Sequence, residues 1–109
     1  MSPMTTCRIL LLLLLVTLSA PPLSKAEESE ARARRIINSL GCKACHSLEG
    51  SGSTLATAFD QIGNRLSMEQ LNEQLTRHGN RNSQTFMPDY STVPDADMND
   101  IVQFLATLK

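Results

Sequence analysis

The chain has 109 residues, with ten Lys and Arg against eleven Asp and Glu and a formal net charge of −1. No basic run is present, which excludes the electrostatic footprint of a nucleic-acid binder. With no Trp, one Tyr and three Phe, a domain this small buries little core of its own and calls for a staple.

The first 26 residues read as a secretory signal peptide. Arg8 supplies the positive start, Ile9 to Leu18 is an almost unbroken apolar run, and Ala20-Pro21-Pro22 breaks it. Ser24-Lys25-Ala26 puts small residues at the two positions a signal peptidase reads, so cleavage is expected after Ala26. A cut after Ala20 is disfavoured by Leu18 and Pro21. The apolar run is shorter than the roughly 20 residues that span a bilayer, which argues against an uncleaved anchor. Cleavage removes Cys7, Arg8 and Lys25. It leaves one domain, 27–109, with eight basic and eleven acidic side chains, a net −3. Its only cysteines are then Cys42 and Cys45. In an oxidising compartment such a pair either forms a disulfide or is consumed by a cofactor.

Glu27 to Leu40 reads as the first helix. Glu27, Glu28 and Glu30 lie at its positive end and Arg32, Arg34 and Arg35 nearer its negative end, as the helix dipole prefers. Ala33, Ile37 and Leu40 fall at i, i+4 and i+7, with Ile36 beside them. Gly41 ends the helix. The arginines are expected to form a solvated face rather than a docking patch.

Cys42-Lys43-Ala44-Cys45-His46 follows, the attachment pattern of c-type haem. Two thiols must reach the two vinyl groups on one edge of a flat macrocycle, and the next side chain must turn under the ring to offer an imidazole nitrogen to iron. Zinc would want four ligands, and no cysteine follows; His78 is the only other histidine. A thioredoxin-like redox pair would need a βαβ setting, and nothing reads as alternating strands.

Beyond the motif, Glu49-Gly50-Ser51-Gly52-Ser53 reads as a flexible turn. Thr54 to Gly63 has no period and is expected to wrap the His46 side, with Leu55, Phe59 and Ile62 as apolar contacts. Ser67-Met68-Glu69-Gln70 is a capping box. It opens a short helix to about Arg77, with Leu71 and Leu75 inward and Met68 packed near the cap. His78 is expected to be exposed at that helix end, with Gly79 as its C′ residue. Asn80 to Val93 is an irregular stretch containing Met87-Pro88, where Pro88 biases Met87 toward an extended backbone. Pro94 to Leu108 is the last helix. Asp95, Asp97 and Asp100 crowd its start, and Met98, Ile101, Leu105 and Leu108 form an apolar stripe with Phe104 on the same side.

Together these residues resemble the small soluble monohaem cytochromes c with His/Met ligation, over essentially all of 27–109. The resemblance rests on a helix running into Cys-x-x-Cys-His, a Met-Pro 41 residues after His46, and an apolar last helix. It implies an all-α fold in which the N- and C-terminal helices cross, one short helix lies between them, and loops wrap a covalent haem. At the crossing the corresponding residues are Ala33, Ile37 and Phe104-Leu105, with Ile37 where the family often has an aromatic. Gly63-Asn64-Arg65 resembles the family's Gly-x-Arg, which makes Arg65 either a haem-propionate contact or a surface arginine. The family's loop Pro, whose carbonyl takes the proximal imidazole N–H, is replaced by Thr57.

The axial iron ligands implied are His46 and Met87. Met1 and Met4 leave with the signal, Met68 belongs to a capped helix and Met98 to a core stripe. Met87 alone sits in a loop before a proline. His78 would be the alternative, giving a bis-histidine centre.

The function expected is electron transfer by one covalent haem c per chain, between transiently docked redox donor and acceptor proteins in the periplasm. Met ligation would favour Fe(II) and raise the potential. No general base, phosphate loop or nucleophile arrangement is visible, so no enzyme is expected. The competing class is a haem ligand-binding, sensor or peroxidase-like protein with an open or displaceable distal site.

Overall fold

The computed structural model describes residues 20–77 and 87–109. Three helices dominate them: α1, Lys25–Ser39, α2, Met68–Arg77, and α3, Asp95–Thr107. The expected all-α architecture is present, with the first and last helices packed together and the short middle one against α3.

Helix α1 begins two residues before the expected start. The Ser24 hydroxyl accepts the Glu27 N–H at 3.3 Å, and the Glu27 carboxylate accepts the Ser24 N–H at 3.0 Å. This reciprocal capping box satisfies two otherwise orphaned donors. The helix therefore runs through the Ala26–Glu27 bond. Removal of residues 1–26 would take away Ser24 and leave Glu27 and Glu28 as the acidic start. At the other end Gly41 adopts a left-handed φ of 74°, which a glycine accepts without steric cost.

Ala33 and Ile37 are fully buried and share one apolar cluster with Phe104 and Leu105. The small Ala33 leaves nothing beyond Cβ to hold α1 away from α3. Phe104 itself is 2% exposed. Polar contacts extend the crossing. The Ser29 hydroxyl donates to Asp100 at 2.9 Å, and Arg32 bridges Asp97 and Asp100. Arg34 lies over the Phe104 ring and pairs with Glu49 and Glu30. Arg32 and Arg34 thus tie elements together from a face that stays solvated as expected, with Arg32 and Arg35 exposed.

The segment read as a flexible turn is a two-residue ribbon. Strand β1, Ser47–Leu48, pairs antiparallel with β2, Ser51–Gly52. Its turn, Glu49-Gly50, has φ of 50° and 77°, the doubly left-handed backbone that suits tight hairpins. Glu49 tolerates this because its N–H donates to Asp60 at 2.8 Å and its carboxylate takes two bonds from Arg34.

The capping box of α2 is formed as expected: Gln70 N–H to Ser67 Oγ at 3.2 Å and Ser67 N–H to Gln70 Oε1 at 2.9 Å. Leu71 and Leu75 are buried, but Met68 is 44% exposed and does not pack. His78 and Gly79, expected at the end of this helix, lie outside the described residues. In α3, Met98, Ile101, Phe104 and Leu105 are buried with Val102. The stripe is wider than expected because α3 is covered by α1, α2 and a 3-10 turn at Ile62–Asn64. That turn is seated on the end of α3, where Gly63 N–H donates to the Leu108 carbonyl at 2.8 Å.

Candidate cofactor site

The Cys42–Ala44 segment is a 3-10 turn opened by Gly41. The Ala44 N–H reaches Gly41 O at 3.0 Å, and the Cys42 carbonyl accepts both Cys45 N–H at 3.3 Å and His46 N–H at 3.0 Å. This winding brings both cysteines and His46 onto one cavity. Both thiols are free, with no disulfide between them.

The cavity has a volume of about 630 Å³. Its walls are the turn itself, Leu55 and Ala56 from the following loop, and Met87, Pro88 and Tyr90. The lining is mostly apolar. Leu55, on its border, is 82% exposed, a large apolar side chain left open among the described residues.

His46 is held from two directions. Its Nδ1 lies 2.6 Å from the Thr57 carbonyl oxygen. A carbonyl only accepts, so Nδ1 carries the proton and Nε2 keeps its lone pair for a metal. Thr57 thus does with its carbonyl what the resemblance implied for a proline. The imidazole is also stacked on Phe59, centroids 4.4 Å apart and planes 18° from parallel. The loop carrying both partners is pinned to the motif: Ser53 N–H to Lys43 O at 3.1 Å, Ala56 N–H to Cys45 O at 2.8 Å and Phe59 N–H to Ser47 O at 2.9 Å.

Met87 is half-buried and lines the same cavity as His46. The chain after it is anchored where Tyr90 N–H donates to Leu75 O at 3.0 Å, at the end of α2. Sequence reasoning missed Tyr90. The signal available was the chain's only tyrosine, three residues after Met87. Burial pushes the Cys42 thiol above its ordinary pKa, an effect opposed by hydrogen bonding to the Tyr90 hydroxyl. Burial likewise raises the Tyr90 phenol, and Cys42 adds to the shift.

Arg65 is not on the cavity wall. One of its terminal nitrogens donates to the Ala58 carbonyl at 3.3 Å. Among the described residues no three His, Cys, Asp or Glu side chains converge as a metal cage, so zinc lacks its donor set there.

The donors present are two free thiols, one imidazole Nε2 and one thioether, on an apolar cavity. They fit a flat apolar macrocycle fastened through sulfur and carrying its own metal. The fold and the site define a small helical domain built around a covalent metal macrocycle. The family model for cytochrome c matches residues 30–109, and the chain belongs to that family: haem-binding electron-transfer proteins that carry haem c covalently and exchange electrons with redox partners. Searches of curated proteins and of solved structures returned no match. Among the described residues no helix is long and apolar enough to cross a membrane.

Proposed function

We propose that this protein is a monohaem electron carrier of the periplasm. It is exported with residues 1–26 removed, carries one haem c bonded through Cys42 and Cys45, and holds the iron between His46 and Met87. It is not an enzyme by itself. The observation that carries this reading is that the motif turn and Met87-Pro88 line one apolar cavity.

When bound, the haem supplies a one-electron Fe(III)/Fe(II) couple. The residues of the chain do the rest. The two thiols fasten the macrocycle edge. His46 donates through Nε2, and the hydrogen bond from Nδ1–H to Thr57 raises its basicity and fixes its tautomer. The soft Met87 sulfur favours Fe(II) and raises the potential. An iron held by both His46 and Met87 would offer no position to a substrate. Leu40, Ala44, Leu55 and Pro88 line the cavity and would keep water from the bound ring. Arg65, off the cavity wall and bonded to the Ala58 carbonyl, would have to swing toward the haem edge to meet a propionate.

The test compares Met87→Ala with His78→Ala. Met87→Ala should abolish the sulfur-to-iron band of the oxidised protein, lower the potential and let cyanide or carbon monoxide bind fast. His78→Ala should leave all three near wild type. Reversed outcomes would make the centre bis-histidine. Fast ligand binding to the wild type would favour a sensor or peroxidase-like protein. Sequencing the N-terminus of the chain from a periplasmic fraction checks the compartment and the cut.

A further inference from the structure

We infer that Phe59 is a positioning residue for His46: its ring face sets the rotation of the imidazole plane, and through it the orientation of the proximal ligand about the iron. The inference rests on the reading of His46 as an iron ligand and adds to it.

The two bonding contacts of the imidazole act in its own plane. One is the Nδ1–H bond to Thr57 at 2.6 Å; the other is the Nε2 lone pair, directed at the metal. A carbonyl oxygen accepts over a broad range of directions, so neither contact strongly resists rotation of the plane about the line joining the two nitrogens. A flat neighbour does. Rings stacked at 4.4 Å and 18° collide or separate when one of them turns.

Phe59 is itself unable to follow such a turn. It is 5% exposed. Its N–H donates to Ser47 O at 2.9 Å, and its carbonyl accepts the Ile62 N–H at 3.0 Å. One residue further on, Gly63 is bonded to Leu108 at 2.8 Å. The backbone that carries the stacking ring is therefore tied to the end of α3. Thr57 and Phe59 also share one short loop, tied at Ala56 to Cys45, so the acceptor and the face are set together. Orientation of the imidazole plane decides which iron d orbitals it meets, and that order is read in the oxidised protein from the pattern of haem-methyl proton shifts.

The experiment uses holoprotein. In the reduced, diamagnetic wild type, nuclear Overhauser contacts between the Phe59 and His46 ring protons are expected; their absence would overturn the stacking. In the oxidised protein, Phe59→Met and Phe59→Leu, which keep an apolar side chain without a flat face, should change the haem-methyl pattern while the Met87 methyl resonance stays in place. Phe59→Tyr, which keeps the face, should restore the wild-type pattern. A wild-type pattern in Phe59→Met or Phe59→Leu would show that the ring only fills space. Failure of the underlying ligand reading looks different. The His46 ring resonances of the wild type would then lack a paramagnetic shift, which would overturn the ligand assignment and this inference together.

Discussion

Arg34 and Phe104 meet at the helix crossing, with the guanidinium carbon 4.4 Å from the ring centroid. The same guanidinium gives a fork of two bonds to Glu49, at 3.0 and 2.7 Å. One side chain on α1 thereby joins the last helix to the hairpin that follows the haem-binding motif.

Phe104→Ala should remove the centre of this arrangement. Truncating a buried Phe costs about 3–5 kcal/mol, and Arg34 would lose the face it covers. Denaturant unfolding of the holoprotein should show a loss in that range with the haem spectrum nearly unchanged. A loss well under about 1 kcal/mol would mean that Phe104 contributes little to the crossing.

The Arg34–Glu49 pair makes a smaller, pH-dependent contribution. Hydrogen bonding and charge from Arg34 hold the Glu49 carboxyl below its ordinary pKa. Its stabilisation is therefore present above the ordinary carboxylate range and is lost as pH falls through the lowered value. Both side chains are partly exposed, so the contribution should be about 0.2–1 kcal/mol. Unfolding of Glu49→Gln against wild type should show that gap at neutral pH, closing in acid and narrowing with salt. A gap that widens in acid would contradict the assignment.

Gly63→Ala tests a close approach rather than a backbone preference, since Gly63 is not among the positive-φ glycines. A Cβ there would run into the Ala106 carbonyl and lie 2.9 Å from the Leu108 oxygen. Overpacking of this kind costs about 1–3 kcal/mol. Hydrogen exchange at the Gly63 amide should be slow in the wild type and fast in the variant. Unchanged exchange would mean that the end of α3 yields easily.

Replacing Cys42 and Cys45 together by Ala should leave little stable holoprotein, because a domain this small has few other means of filling its centre. Calorimetry of the purified double variant checks this. A cooperative transition in haem-free chain would show that the helices suffice.

The features with a fixed spacing are legible in the sequence. The five-residue motif, the Gly41 stop, the Ser67–Gln70 box and the stripe on α3 depend on contacts within a few positions, and each is found where it is read, except that Leu108 falls just past the end of α3 and is half-buried. The parts that depend on distant partners are not legible. Arg32 is engaged by Asp97 and Asp100, 65 and 68 positions away, and no local pattern announces that. Glu49-Gly50 looked like slack chain because its hairpin is only two residues per strand, and the bonds that hold Glu49 come from Asp60 and Arg34. Tyr90 was passed over because a single aromatic in an irregular stretch has no period. At the site, the motif spacing singles out Cys42, Cys45 and His46, and the structure sets them on one cavity with Met87. The stacking of Phe59 on His46 has no such signal, since it arises from how a loop without repeat folds back on the motif.

The Ser29–Asp100 bond joins positions 71 residues apart, and this sets an order of events during folding. Closing so long a loop costs chain entropy before the two helices gain any contact, and topologies that rely on distant pairings assemble slowly. The turn at Cys42–His46, by contrast, closes on bonds within five residues. A newly made chain would present its two thiols in nearly finished geometry while its two ends are still apart. The local turn that carries the two thiols would thus be formed before the crossing of α1 and α3 closes.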